Sequence, residues 1–245
     1  MFPVEGSNSK FIAGISRKFA FVEWDGKSPK PSKIETIAEV DTDPDAKGNR
    51  LNGGKVDPWG RLWAGTMGPS DANGDVIPHK GALYSLNKGV VTKHKCNIGI
   101  SNGLAWDTTK MKMYYCDTME PKIFQYDISK DGKISNEKVI FEYGNKLEGK
   151  PDGLTIDKNG DLWLTSIFGS TVCKIDPTNG NIKEKIVFPT SQPTSVTFGG
   201  KDLDEMFVTT ALIPVAGKIP PPPAGTTYRI KVAGTTGLKG DRYKP

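Results

Sequence analysis

Residues 152–166 read DGLTIDKNGDLWLTS, and this stretch returns in altered form at a fixed distance along the chain. Residues 52–66 read NGGKVDPWGRLWAGT and residues 102–118 read NGLAWDTTKMKMYYCDT, so the three copies start 50 residues apart. Each copy has a polar residue, a glycine, a short apolar run, a turn led by Asp and a second apolar run. Such a unit predicts two antiparallel strands joined by a turn.

Two weaker copies extend the repeat toward both ends of the sequence. Residues 193–211 read PTSVTFGGKDLDEMFVTTA, and residues 2–16 read FPVEGSNSKFIAGIS. A second hairpin follows four of the five units, in residues 18–35, 81–95, 123–135 and 172–184. Two of these hairpins contain Asp131-Gly132 and Asn179-Gly180, which are residue pairs that favour two-residue turns.

Four strands in a period of about 50 residues predict one blade of an all-β β-propeller. No apolar stripe with a period of 3.6 residues is present, so an α/β fold with helices between its strands is not predicted. Residues 212–225 contain four consecutive prolines, which predict an exposed polyproline-II loop before a last strand, TTYRIKV. A role of this loop as a proline-rich ligand is the alternative to an ordinary connection. In a closed propeller the last strand would join strands from the N-terminus.

The charge of the chain is mildly basic and dispersed. Its 33 Lys and Arg against 28 Asp and Glu give a formal net charge of +5. The densest basic stretch, residues 88–95, contains three lysines and one histidine. A nucleic-acid groove needs clustered basic residues with stacking aromatic ones, so no nucleic-acid partner is expected. No apolar run approaches 18 residues and the first residues lack the pattern of a signal peptide, so no membrane association is expected.

The cysteines and histidines exclude several kinds of site. Cys96, Cys116 and Cys173 are odd in number and form no CxxC pair, which argues against a disulfide framework and a cysteine zinc site. A reducing compartment fits them best, so we expect a cytoplasmic protein. With only His79 and His94 in the chain, a zinc site rich in histidine is excluded.

Three polar residues, Asn52, Asn102 and Asp152, occupy the same place in three successive units. The first strands of propeller blades surround a central channel, so repeat equivalence brings these side chains together. Oxygen ligands without His or Cys suit a hard cation such as Ca²⁺ or Mg²⁺. The alternative is that Asn-Gly and Asp-Gly are turn residues that begin strands. The recurrence in three blades favours the cation site.

Other repeated residues are interpreted as structural. Three aspartates, each five residues after the Asn or Asp, belong to the turn between the strands: Asp57, Asp107 and Asp157. Trp63 and Trp163 stand at equivalent second-strand positions and are expected in the core between blades. Arg50, two residues before Asn52, is either a donor to an anion or hydroxyl group or an ordinary surface arginine.

Six segments together resemble one known family: NRLNGGKVDPWGRLWAGTM, GALYSL, ISNGLAWD, YYCDT, PDGLTIDKNGDLW and TFGGKDLDEMFVTTA. The sequence is similar to the regucalcin (senescence marker protein), gluconolactonase and luciferin-regenerating enzyme family, and most to its arthropod branch. The resemblance extends over essentially the whole chain. It implies a six-bladed β-propeller of four-stranded antiparallel blades. We therefore expect a single propeller domain over residues 1–245, with five blade cores visible and the N-terminal blade missing.

The resemblance also implies a function. It indicates a metal-dependent lactonase that hydrolyses sugar lactones such as gluconolactone, with one divalent cation (Ca²⁺, Zn²⁺, Mn²⁺ or Mg²⁺) in the channel. Carried over by motif, Asn102 and Asp152 bind the metal, Asp152 is also the proton acceptor and donor, and Arg50 and Asn52 bind substrate. The expected partner is a small lactone, and the expected oligomeric state is a monomer.

Three departures from the family pattern concern this site. The family's metal-binding Glu and the N-terminal blade that carries it, about one repeat period, are not found here. Gly53 replaces an Asp of the substrate motif, and the acidic substrate residue expected after GTM falls near Ser70, with Asp71 as a substitute. A non-catalytic calcium- or metal-binding protein like regucalcin, or a paralogue of the luciferin-regenerating type, is therefore the alternative. A propeller that serves as a protein-interaction platform has only fold analogy in its favour.

Overall fold

The computed structural model describes residues 1–245 as strands and connections with one 3₁₀ turn, Pro44–Ala46. Its strands form five antiparallel sheets. The chain divides into two compact units, one of residues 1–101 with 240–245 and the other of residues 102–239. None of its helical segments has the length and hydrophobicity needed to cross a bilayer.

The first unit contains two four-stranded sheets in which chain neighbours pair. The first sheet consists of β1 (Phe2–Pro3), β2 (Lys10–Ile15), β3 (Lys18–Glu23) and β4 (Lys33–Glu39). The second sheet consists of β5 (Arg50–Val56), β6 (Leu62–Met67), β7 (Gly81–Asn87) and β8 (Val90–Ile98). Both sheets confirm the predicted order of a strand pair followed by a second hairpin.

The second unit contains two further four-stranded sheets and one sheet of three strands. The third sheet consists of β9 (Ser101–Asp107), β10 (Lys112–Asp117), β11 (Glu120–Ile128) and β12 (Ile134–Glu142). The fourth sheet consists of β13 (Lys150–Ile156), β14 (Leu162–Ile167), β15 (Thr171–Asp176) and β16 (Asn181–Val187). The fifth sheet consists of β17 (Pro193–Gly199), β18 (Glu205–Thr210) and β19 (Thr227–Lys231).

The apolar runs of the repeat become the second strands of the sheets. Every residue of β6 and β14 is buried, whereas most residues of the last strands β12 and β16 are exposed. A second strand has a partner on each side and packed residues on both faces, so it is apolar throughout. This gradient explains why LWAGTM and LWLTSI contain no charge while ISNEKVIFE contains three charged residues.

Apolar cores lie between consecutive sheets within each unit. In the first unit, Ile12 and Phe19 of the first sheet pack with Leu62 and Tyr84 of the second. In the second unit, one cluster joins the third sheet to the fourth, and another joins the fourth to the fifth. Trp163 belongs to the latter, which confirms its predicted place between blades.

The end of the chain returns to the first unit. The Tyr243 N–H donates to the Pro3 carbonyl at 3.0 Å, and the Tyr243 carbonyl accepts from Glu5 N–H at 2.8 Å. The Tyr243 side chain is buried in the core of that unit. Residues 240–245 thus extend the first sheet beyond β1, a contact that no sequence pattern predicted.

The repeated aspartates tie each turn to the following strand. In the turn after β5, Asp57 Oδ1 accepts from the N–H groups of Trp59 and Arg61, each at 3.0 Å. Its Oδ2 accepts from Trp63 Nε1 at 2.8 Å. Asp157 repeats this arrangement with Trp163 Nε1 at 3.0 Å. The prediction that these aspartates are structural is confirmed, and the spacing of Asp to Trp has a physical reason.

The five blade cores predicted from the repeat are confirmed as five sheets, whereas the six blades implied by the resemblance need correction, because this structure has no sixth sheet. The prediction for the end of the chain also needs correction. TTYRIKV forms β19, which pairs with β18 as the third strand of the fifth sheet rather than joining strands from the N-terminus. The single domain over residues 1–245 stays a prediction, because the chain divides into two compact units.

The turns also differ in detail from their predictions. The hairpins with Asp131-Gly132 and Asn179-Gly180 have connections of residues 129–133 and 177–180 rather than two-residue turns. Each glycine has a positive φ, at 93° and 69°, and stands at or next to the end of a longer loop. The Ala224 N–H donates to the Pro221 carbonyl at 3.1 Å, so the proline run bends in a turn and is not a continuous polyproline-II segment.

The three cysteines are free thiols in different surroundings. Cys116 and Cys173 are buried in the core between the third and fourth sheets, whereas Cys96 is exposed on β8. Burial raises the pKa of both buried thiols.

Candidate metal and substrate site

Two of the candidate residues lie at irregularities in the first strands of their sheets. The pairing of β5 with β6 shifts register between Leu51 and Gly54, and that of β13 with β14 shifts between Pro151 and Leu154. Asn52 and Asp152 therefore stand in β-bulges. A bulge redirects a side chain away from the regular alternation of its strand, and bulges are common beside functional sites.

The glycines that follow the candidate residues are not turn residues. Gly103 and Gly153 lie inside β9 and β13 without a positive φ. A Cβ on Gly103 would lie 2.4 Å from Leu154 Cβ, and a Cβ on Gly153 would lie 2.6 Å from Ser195 Cα. The alternative of simple turn chemistry is thus wrong for these two. Glycine is required because the first strands of consecutive sheets approach too closely for a side chain.

A chain of hydrogen bonds fixes the Asn102 amide. Thr118 Oγ1 donates to the Pro151 carbonyl at 2.7 Å and accepts from Asn102 Nδ2, also at 2.7 Å. A carbonyl can only accept, so the hydroxyl proton is committed to Pro151 and the amide must present its NH₂ group to Thr118. The amide oxygen Oδ1 of Asn102 is consequently the atom left for a ligand.

Asp152 lies beside this amide on the adjacent first strand. The backbone carbonyl of Asp152 is 2.7 Å from the Cβ position of Gly103, and it accepts from the Cys116 thiol at 3.2 Å. Its carboxylate receives no donor and no ion pair from the chain. Desolvation by burial raises the pKa of this carboxyl group to about 7. A desolvated carboxylate without a partner is costly unless a cation or a proton neutralises it.

This donor set fits a hard divalent cation in part. An amide oxygen with a fixed orientation and a carboxylate without a partner are ligands that Ca²⁺ and Mg²⁺ prefer. No group of three or more His, Cys, Asp or Glu side chains converges anywhere in residues 1–245. Any cation held here would therefore complete its coordination with carbonyl groups, water or substrate.

Arg50 and Asn52 form a pair in the first unit. Arg50 Nη1 donates to Asn52 Oδ1 at 3.1 Å, and Asn52 Nδ2 donates to the Ser101 carbonyl at 3.0 Å. Both side chains are exposed, and the remaining N–H groups of the guanidinium point to no protein acceptor. The four predicted site residues therefore occur as two pairs: Arg50 with Asn52 in one unit, and Asn102 with Asp152 in the other.

Asp71, the possible substitute for the family's acidic substrate residue, has a structural role in a turn. Asp71 Oδ1 accepts from the N–H groups of Asn73 at 2.8 Å and Asp75 at 3.0 Å. This side chain therefore caps an exposed turn between β6 and β7.

Sequence reasoning missed Thr118. Thr118 lies 16 residues from Asn102 and ends the third copy of the repeat, where nothing in the sequence marks it as a partner of Asn102. The pairing of β9 with β10 brings the two side chains together. A signal existed in the recurrence of Thr or Ser near the end of the second strand, at Thr66 and Ser166 inside it and at Thr118 directly after it.

The sequence matches the family model described as SMP-30/Gluconolactonase/LRE-like region over residues 1–212. A regucalcin from Sus scrofa is 37% identical over 233 residues, which are 93% of this chain and 75% of the relative. A solved structure of a luciferin-regenerating enzyme is similar with a TM-score of 0.90 and 36% identity, over 100% of this chain and 80% of that one.

A third similarity is to a protein described as a calcium-binding protein, regucalcin, from Agrobacterium tumefaciens. Its structure has a TM-score of 0.82 and 25% identity, over 99% of this chain and 78% of that one. The sheets of the present chain are thus blades of the β-propeller type.

Proposed function

Because the chain belongs to the SMP-30/gluconolactonase/LRE-like family, we propose that it is a divalent-metal-dependent hydrolase of sugar lactones. The observation that supports this most is the carboxylate of Asp152, which has no partner and belongs to the strand adjacent to that of Asn102, whose amide is held through Thr118 to the Pro151 carbonyl. Carboxylate and amide oxygens at one place are what a cation-assisted hydrolysis requires.

In this proposal Asn102 and Asp152 hold the cation through the amide oxygen and the carboxylate. A bound divalent cation polarises a carbonyl group and lowers the pKa of water. The Asp152 carboxylate accepts a proton from the attacking water and returns it to the ring oxygen as the ring C–O bond breaks. The product is the open-chain hydroxy acid. A cation beside Asp152 would favour the ionised carboxylate, which is the form that accepts a proton.

Arg50 and Asn52 are proposed to bind the substrate. The guanidinium of Arg50 is held at one nitrogen by Asn52 Oδ1, which leaves its other N–H groups for hydroxyl or carbonyl oxygens of a lactone. A donor fixed in this way orients its ligand without a further loss of side-chain entropy.

The identity of the cation is proposed from the ligand chemistry. Oxygen donors favour Ca²⁺, Mg²⁺ or Mn²⁺ over Zn²⁺. The similar Agrobacterium tumefaciens protein is described as calcium-binding, which supports Ca²⁺. The free thiols suit a reducing compartment, so a cytoplasmic monomer remains part of the proposal.

The test is hydrolysis of gluconolactone by the purified chain, followed by pH-stat after treatment with a chelator and then with Ca²⁺, Mg²⁺, Mn²⁺ or Zn²⁺. Turnover that requires the cation is expected. Asp152→Asn should lower kcat by about 10³-fold or more, because it removes the base and a ligand charge. Asp71→Asn is the matched control, since the same change in an exposed turn should leave turnover unaltered. Circular dichroism confirms that both variants fold, and undiminished turnover by Asp152→Asn contradicts the assignment.

A second candidate function is a calcium-binding protein without catalysis, of the regucalcin type, or a paralogue of the luciferin-regenerating type. It is favoured by the single carboxylate among the proposed ligands and by similarity to regucalcins and a luciferin-regenerating enzyme. A folded chain that binds Ca²⁺ by calorimetry but hydrolyses no lactone supports this candidate.

A further inference from the structure

Exposed apolar side chains concentrate on the connection between β18 and β19. Four large apolar side chains within eight residues are exposed by 46% to 66%: Leu212, Ile213, Val215 and Ile219. Such side chains are normal on a surface when they are scattered, but a contiguous group marks a binding surface.

This connection lies at the same end of the second unit as Asp152. The β17 strand begins at Pro193, which pairs with Thr210 at the end of β18, so the connection that follows Thr210 leaves from the start of β17. The first strands β13 and β17 are adjacent, since the Cβ position of Gly153 is 2.8 Å from the Thr194 carbonyl. The bulge with Asp152 and the apolar connection therefore stand side by side.

The apolar connection is held rigidly. The buried side chain of Gln192 donates to the Ile213 carbonyl and accepts from the Ile213 N–H, each at 2.8 Å. Four consecutive prolines follow at residues 220–223 and restrict the backbone further. A rigid wall loses little entropy when it covers a ligand.

Phe168 adds an aromatic side chain at the same end. It is 44% exposed in the connection between β14 and β15, and its φ of 64° is strained for a bulky residue. The neighbouring Gly169 packs against the segment that leads into Asp152, because its Cβ position is 2.2 Å from the Glu148 carbonyl. Backbone strain at non-glycine residues is concentrated at ligand-binding and active sites.

One backbone contact connects the two apolar groups. The Ser170 N–H donates to the Ser191 carbonyl at 3.4 Å, and Gln192 follows directly as the anchor of Ile213. The connection that carries Phe168 and the one between β18 and β19 therefore lie at the same end of adjacent sheets, and their exposed apolar residues Phe168, Leu212, Ile213, Val215 and Ile219 are here called the apolar wall.

We infer that the apolar wall binds a hydrocarbon tail on the lactone ring, so that the preferred substrates are lactones with an alkyl or aryl substituent. This inference rests on the proposed function, because it names the class of lactone that the Asp152 site takes. An unsubstituted sugar lactone presents only hydroxyl groups to this surface and leaves its apolar area in water.

The test compares two lactones with the same six-membered ring, δ-decalactone with a pentyl tail and δ-valerolactone without one. The native chain with added Ca²⁺ should hydrolyse δ-decalactone with a kcat/KM about 10- to 100-fold higher, as expected when several methylene groups are covered. Binding of the lactam analogue of δ-decalactone is measured by calorimetry, since a lactam resists hydrolysis and reports on the wall without turnover.

Phe168→Asn is the informative variant, because Asn tolerates a positive φ and the fold should not suffer. It should lower kcat/KM for δ-decalactone about 10-fold and leave δ-valerolactone unchanged. Ile213→Asn should act in the same direction, since Gln192 holds the backbone of that residue and not its side chain. Ile34→Asn is the control, because Ile34 is an equally exposed apolar residue on β4.

Each outcome separates this inference from the proposed hydrolysis. Equal kcat/KM for the two lactones in the native chain, or an equal loss on both in Phe168→Asn, overturns the apolar wall. If neither lactone is hydrolysed but the lactam binds and Phe168→Asn weakens that binding, the wall stands and the proposed reaction fails. Absence of both turnover and lactam binding overturns the wall as well.

Discussion

At Thr118 a single hydroxyl group decides which atom of Asn102 faces a ligand. Thr118→Val keeps the shape of the side chain but removes the hydrogen bonds to Asn102 and Pro151, so the amide is free to rotate. We expect about 10-fold weaker binding of Ca²⁺ by calorimetry, as for other residues that orient metal ligands. Thr118→Ser retains the hydroxyl and should bind Ca²⁺ like the native chain. Native-like affinity in Thr118→Val would show that the amide is oriented by other means.

His94 gives the first unit a dependence on pH. Its ring stacks on Trp63 with centroids 4.2 Å apart, and its Nε2 lies 2.8 Å from Ser85 Oγ. Burial, together with the charge of Arg61, lowers the pKa of His94 from 6.5 to about 4. The folded state thus resists protonation that the unfolded chain accepts, so stability is fully present above pH 6.5 and declines as the pH falls toward 4.

This decline can be isolated by comparison with His94→Gln. Between pH 7 and 5 the native chain should lose about 1–2 kcal/mol of unfolding free energy more than the variant, measured by urea denaturation. Parallel pH profiles for the two proteins would show that the histidine titrates alike in the folded and unfolded chains.

Among single residues, those in the repeat were predictable and their partners were not. Asn102 and Asp152 stand out because a polar residue recurs where each unit begins. Thr118 is joined to Asn102 through the pairing of β9 with β10, and the recurrence of Thr or Ser near the end of the second strand does not by itself show which residue such a side chain contacts. The lack of a partner for the Asp152 carboxylate is likewise a property of the folded surroundings.

At the scale of the element, the turns between first and second strands differ in the number of hydrogen bonds and ion pairs that their aspartate makes. The buried Asp157 side chain accepts from two backbone N–H groups and from Trp163 Nε1, and it pairs with Lys174 Nζ at 3.2 Å. Asp107 accepts only from the N–H groups of Thr109 and Lys110 and has a half-exposed lysine nearby.

These contacts predict unequal costs for the same substitution. Asp157→Ala should lower the unfolding free energy by about 2–4 kcal/mol, because it leaves the buried indole N–H of Trp163 without an acceptor and removes one of the two carboxylates that face Lys174. Asp107→Ala should cost about 1 kcal/mol. Thermal or urea denaturation measures both, and equal losses would mean that the link to the tryptophan adds no stability.

The strands themselves were largely predictable, because apolar runs and Asp-led turns recur at 50-residue spacing. The role of the glycines was not. Gly103 and Gly153 resemble turn residues in sequence, and only the approach of one sheet's first strand to the next shows why a Cβ is excluded there. The lengths of two hairpin loops were not predictable either, since a glycine such as Gly132 or Gly180 is compatible with a short or a longer connection.

At the scale of the whole molecule, the chain begins and ends in the same unit. Tyr243 is buried against Phe21, with ring centroids 6.0 Å apart, and its backbone pairs with residues on either side of Val4. Tyr243→Ala should destabilise the first unit by about 3–5 kcal/mol, the usual cost of deleting a buried aromatic ring.

Hydrogen exchange can locate that effect. Amides of β2 and β3 in the first unit should exchange faster in Tyr243→Ala, while amides of β14 in the second unit change less. Tyr243→Phe keeps the ring and should behave nearly like the native chain. Uniform acceleration in both units would show that the units unfold as one.

The number of sheets could be counted from the repeat, whereas the sixth came from resemblance to the family and is not in this structure. The return of residues 240–245 to β1 was beyond prediction, because a single short segment has no periodicity to reveal its partner. Sequence patterns report local order well, and contacts between distant parts of the chain depend on the packed fold.

The contrast among the three thiols has a practical consequence. With Cys116 and Cys173 buried and their pKa values raised, Cys96 is the thiol that a maleimide reagent can reach in the folded protein. A fluorophore or spin probe can thus be attached at one known position on β8 without any substitution. Unfolding exposes the other two thiols. The rate at which the number of maleimide-reactive thiols rises from one to three therefore measures the rate of unfolding.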